Sequence, residues 1–108
     1  DWVRTYLGIH YVQINSASYN WIGTRFNHPS YDAEIHRRHP GISRTCPYRD
    51  PLWAVVTLDR DAGVLSIAGR QSAWVGPSPW EVGVTETERW PSITRPAISD
   101  RRLRTPAT

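Results

Sequence analysis

One stretch near the middle of the sequence restricts the fold more than any other. Trp53-Ala54-Val55-Val56-Thr57-Leu58 runs into Asp59-Arg60-Asp61-Ala62-Gly63, and Val64-Leu65-Ser66-Ile67-Ala68 returns. β-Branched and aromatic side chains are stiff at χ1 and fit a pleated surface better than a helix. The aspartates, followed by a glycine free to take positive φ, suit a hairpin loop of several residues. Both arms are almost continuously apolar, which predicts a strand pair central to the core. With 108 residues, the chain has room for one domain, and the remainder must be built around this pair.

The flanking segments extend the β pattern. In residues 2–14, Val3, Leu7, Ile9 and Tyr11 alternate with more polar neighbours, as on a half-buried strand. Asn15-Ser16-Ala17-Ser18 supplies turn chemistry, and residues 19–26 read as the returning strand of a first hairpin. A short helix is expected over residues 31–38, capped by Ser30 and stopped by His39-Pro40-Gly41. Residues 72–75 and 80–88 read as two further strands around Gly76-Pro77-Ser78-Pro79. Beyond Pro91 apolar periodicity ceases, and Pro, Ser, Thr and Arg dominate. The expected organisation is a β-rich domain over residues 1–90 and a basic, proline-containing arm or tail over residues 91–108. The expected fold is mainly β, a small antiparallel barrel or sandwich.

Charge narrows the chemistry. All 13 basic residues are arginine, against 10 acidic ones, giving a net charge of +3. The absence of lysine excludes lysine Schiff-base chemistry and a Walker-type phosphate loop. Arginine stays charged and presents a planar fork to carboxylate, phosphate or an aromatic face. The single cysteine, Cys46, cannot close an intrachain disulfide and reads as a buried, inert thiol. No stretch approaches the roughly 18 apolar residues of a membrane span, and the first residues lack a signal-peptide pattern. A first residue of Asp1 in place of methionine reads as a processed or trimmed terminus, and no compartment is assigned.

Four constellations could carry function. Within a helix over residues 31–38, Asp32 and His36 would share a face, as an acid–base pair requires. A zinc set could be drawn from His28, His36, His39 and Cys46. However, His36 and His39 straddle the expected helix stop, and no close cysteine pair completes the set, so neither metal nor cofactor is assigned. His36, Glu86, Glu88 and Arg38 are the residue types for a phosphate-containing or otherwise anionic substrate, with glutamate as base, histidine as acid and arginine on the anion. His10 is an alternative histidine for that set. Finally, Trp74 and Trp80 bracket a Gly-Pro-Ser-Pro turn and are expected as a surface platform. Arg101, Arg102 and Arg104 on the arm would contact charged groups. Arg37-Arg38-His39-Pro40 with Asp59-Arg60-Asp61-Ala62-Gly63-Val64 also faintly resembles the arginine pair and aspartate-serine-glycine turn of PilZ cyclic-dinucleotide domains. Asp61 stands at the serine position and Val64 at the final glycine, so that function is not carried over.

The leading functional expectation is therefore a non-catalytic binding or assembly module presenting Trp/Tyr and Arg surfaces to a protein partner or to itself. A small His/Glu/Arg enzyme and a nucleic-acid-binding β domain are the alternatives.

Overall fold

Leu7 and Gly8 decide how the N-terminal segment folds. In the computed structural model, which describes residues 1–105, both have positive φ, 50° and 77° respectively. Two consecutive left-handed residues make the tight turn whose twist matches antiparallel strands. The chain therefore reverses there, and β1 (Trp2–Tyr6) pairs with β2 (Ile9–Gln13), from Tyr6 opposite Ile9 to Trp2 opposite Gln13. The segment expected to be one strand is itself the first hairpin. Residues 19–26 do not return along it. Instead β3 (Tyr19–Trp21) pairs with β4 (Thr45–Pro47), and residues 24–26 form a 3-10 turn.

The helix between them, α1 (Ala33–Arg38), forms where expected with a different cap. The Asp32 carboxylate, not Ser30, accepts the Ile35 amide at 2.9 Å. Tyr31 lies just upstream at φ 80°, outside helical space, so the helix cannot begin earlier.

The central hairpin forms as β5 (Val55–Asp59) and β6 (Val64–Ala68), with Val55 opposite Ala68 and Asp59 opposite Val64. After it, β7 (Arg70–Gln71) pairs with β8 (Ala97–Ile98), and β9 (Arg101–Arg104) adds to the free edge of β6. The result is four small antiparallel sheets, a mainly β architecture. Only β6 is central. β5 is an edge strand, exposed at all five residues, contrary to the expectation that both arms would sit in the core.

Of the expected arm, residues 91–105 pack against the rest of the chain, and residues 106–108 lie outside the described residues. Ala97 and Ile98 are buried, and the Arg-Arg-Leu-Arg strand β9 is held by backbone pairing, which needs no apolar pattern. The Asp1 side chain, 1% exposed, anchors the segment. It accepts the Ser99 amide at 2.9 Å and hydroxyl at 3.1 Å, and pairs with Arg95 at 3.3 Å and Arg101 at 3.4 Å.

Residues 80–88 also depart from expectation, forming turns and no strand. Two capped turns explain this, the first of them reciprocal. The Ser78 hydroxyl accepts the Glu81 amide at 3.3 Å, while the Glu81 carboxylate accepts the Ser78 amide at 3.2 Å. Four residues past Glu81 the second begins: the Glu88 carboxylate accepts the Thr85 amide at 3.1 Å, and the Glu88 amide donates to the Thr85 carbonyl at 3.0 Å. Both follow the Ser/Thr-x-x-Glu spacing that starts a helical turn. Gly83, at φ 107°, separates them.

The core consists of two clusters. Tyr48, Leu52, Ile67 and Ile98 form one, and Ile22, Cys46 and Val84 the other. Trp74 packs against both and joins them, its ring 5.5 Å from that of Tyr48. The molecule is drawn out to 56 × 27 × 17 Å with a radius of gyration of 17.0 Å. A compact chain of this length has about 13 Å.

Candidate functional site

Two regions stand out, a cleft beside α1 and an apolar sheet face. The cleft, about 550 Å³, is lined by Asn27, His28, Pro29, Tyr31, Ala33, His36 and Ser43. The Tyr31 ring stands between the two imidazoles, 5.6 Å from His28 and 6.3 Å from His36. It is pressed against Gly76, where an added Cβ would lie 2.9 Å from the ring. Its hydroxyl is buried without a partner. Burial, with a smaller effect of Cys46, pushes the phenol up to about 12. His28 Nε2 donates to the Thr45 carbonyl at 2.8 Å, while its buried Nδ1 has no partner. His36 Nε2 donates to the Ser30 carbonyl at 2.7 Å.

The expected Asp32–His36 acid–base pair does not assemble, because Asp32 is engaged at the helix cap and His36 at Ser30. Of the anionic-substrate set, His36 alone lines the cleft. Glu88 serves its own turn and pairs with Arg25 at 2.5 Å. The Thr85 amide above all, then Arg25, holds its carboxyl below the ordinary value. Glu86 is exposed on the same turn, and Arg38 lies on the exposed face of α1, 3.8 Å from Glu34. His10 bridges Thr5, at 2.7 Å, and the Arg104 carbonyl, at 2.5 Å.

Among the described residues, no three His, Cys, Asp or Glu side chains are grouped to hold a metal ion. His39 is the exposed C-cap of α1, and Cys46 is fully buried on β4. Burial, reinforced by Glu81, pushes that thiol up to about 11.

The aromatic residues are redistributed as well. Trp74 and Trp80 are half-buried and pack against the core clusters. The exposed indoles are Trp21, Trp53 and Trp90. Arg101 is held by Asp1, whereas Arg102 and Arg104 are exposed on β9.

The apolar face is built by register. Residues opposite one another across antiparallel strands share a face. Val56 opposes Ile67, Leu58 opposes Leu65, and Leu65 opposes Leu103, so all five lie on the side that Ile67 turns toward the core. The core covers Ile67 but does not reach β5, where Val56 is 62% and Leu58 57% exposed. Trp53, also exposed, precedes the strand, with the Arg70 guanidinium 4.4 Å from its ring centroid. A second open apolar set, Tyr6, Leu7, Ile9 and Tyr11, lies on the first hairpin. The sequence signal for β5 was its uninterrupted apolar run, which equally describes a core strand.

Compared with known proteins, the chain matches no family model, and neither a curated protein nor a solved structure is significantly similar to it.

Proposed function

We propose that this chain is a non-catalytic assembly module that engages a protein partner through apolar, aromatic strand surfaces flanked by arginine. The observation that carries this reading is the surplus of open surface. The chain exposes 7499 Å², whereas a compact monomer of 12.4 kDa would expose about 6,100 Å². Exposed apolar side chains gather on the first hairpin (Tyr6, Leu7, Ile9, Tyr11) and on β5 (Val55, Val56, Leu58) beside Trp53, and contiguous sets of this kind mark interaction surfaces. Arg70 beside Trp53 supplies a charged flank, and Arg102 and Arg104 add basic charge on the other face of β9.

Site-specific photo-cross-linking tests this reading. A benzophenone side chain placed at Trp53 or Tyr11 is expected to give discrete protein adducts, with the control position Glu86 giving none. Equal yields at all three positions, or none at any, would overturn it.

The enzyme alternative draws on the Tyr31–His28–His36 cleft, where a non-glycine residue at positive φ and unpartnered buried atoms are features that gather at functional sites. It would use His36 without the glutamates or Arg38. An activity against a phosphate-containing substrate that vanishes in His36→Ala would favour it over assembly.

A further inference from the structure

The open edge of β5 has a geometry that selects its occupant. β5 pairs with β6 on one side only, so the amides and carbonyls directed to its other side have no strand partner among the described residues. Edge strands are normally protected from pairing by lysine, proline, a bulge or a covering element. β5 carries no proline and a single charge, Asp59 at its end, and its register with β6 runs without a bulge.

We propose that β5 pairs antiparallel with β5 of a second copy of this chain, across a two-fold axis at Thr57. This rests on the assembly reading above and names its partner. The register follows from the face pattern. Centring the axis on Thr57 sets Val56 opposite the partner's Leu58 and Val55 opposite the partner's Asp59, so Val56 and Leu58 of both copies share the core face while Val55, Thr57 and Asp59 share the other. A shift that placed Val56 opposite Thr57 would mix the two faces. The pairing joins two three-stranded sheets into one of six, and it makes a continuous apolar face of Val56, Leu58, Leu65 and Ile67 from both copies.

Charge agrees with this partner. The same register lays the turn of one copy, Asp59-Arg60-Asp61 with net negative charge, beside Trp53 and Arg70 of the other. Arg70 and Asp61 form no ion pair within the chain among the described residues. Opposite charges thus meet at both ends of the paired strands, and they meet only in the antiparallel sense. A two-fold contact of this kind uses the same surface on both copies and closes at the dimer.

The experiment combines sedimentation equilibrium of the full chain with cysteine trapping. The chain is expected to move from monomer to dimer mass with concentration. Val56→Lys is expected to weaken the dimer at least 100-fold while leaving the near-ultraviolet tryptophan spectrum unchanged. Thr57 faces its own copy at the axis, with Cα atoms about 4.5–5.5 Å apart, within the roughly 4.4–6.8 Å that a disulfide spans. Under mild oxidation, Thr57→Cys is therefore expected to form a disulfide-linked dimer far faster than Val75→Cys, an exposed control. A monomer at all concentrations, with no faster cross-linking at Thr57→Cys, would overturn the proposal. So would a dimer unaffected by Val56→Lys. Photo-adducts to a different protein, with no self-association, would overturn this proposal and leave the assembly reading standing.

Discussion

Gly69 is the position where one added methyl group tests the packing of the C-terminal strands. It sits between β6 and β7, and its amide donates to the Asp100 carboxylate at 2.7 Å. An added Cβ would overlap the Ile98 carbonyl oxygen and lie 2.6 Å from its carbon and 3.0 Å from the Ser99 carbonyl carbon. All of these are backbone atoms, so no rotamer change relieves the clash. β8 would have to move away by about an ångström, loosening the pairing of Arg70 with Ile98 and drawing Ile98, 3% exposed, out of its cluster. Overpacking costs about 1–3 kcal/mol, and partial loss of a buried isoleucine contact adds to it, so Gly69→Ala is expected to destabilise the chain by about 3 kcal/mol. That is a large share of a typical stability of about 5–15 kcal/mol. Urea unfolding followed by tryptophan fluorescence, at a concentration where association is constant, measures it. A loss below about 0.5 kcal/mol, the range of ordinary surface substitutions, would mean that residues 97–104 do not pack on β6 and β7.

Leu7→Asn is expected to stabilise the first hairpin by about 0.5–1 kcal/mol, because asparagine tolerates the left-handed conformation and Asn-Gly suits this turn; a lower melting temperature would refute that. Tyr31→Phe removes a buried hydroxyl that has no partner and is expected to be neutral or stabilising by about 1 kcal/mol, read by urea midpoint. Alkaline pH should unfold the chain through Cys46 and Tyr31. Each has a folded pKa above its ordinary value, about 11 against 9 and about 12 against 10. The unfolded chain therefore ionises first: the stabilisation is full below pH 9 and is lost as the pH climbs through 11 to 12. Cys46→Ala should remove the part of that slope between pH 9 and 11, and an unchanged slope would count against burial as its cause.

Much of the secondary structure was legible because local chemistry dictated it. The Asp59–Gly63 turn and its β-branched arms formed the hairpin, and the polar residues around Ala33–Arg38 formed the helix. What was not legible depended on backbone pairing or on competing local signals. Gly8 reads as one member of an alternating strand until Leu7 joins it at positive φ. Ser78-x-x-Glu81 and Thr85-x-x-Glu88 were visible as cap spacings, yet the alternation of Val82 and Val84 with polar residues suggested a strand. β9 lacks an apolar pattern because the backbone of β6 and the Asp1 carboxylate hold it. The candidate surface was misread for a related reason: apolarity says that a residue gains by leaving water, not which molecule covers it. Val56 and Leu58 therefore looked like core, while Trp74 and Trp80, beside a proline-rich turn, looked like surface.

Hydrogen exchange of the β5 amides tests assembly through this edge most directly. Within one copy, alternate amides of β5 bond to β6 and the others face outward. Pairing between copies predicts that the outward set becomes protected at high protein concentration, loses protection on dilution, and is unprotected in Val56→Lys. Exchange of that set at the rate of a free edge at every concentration would contradict it.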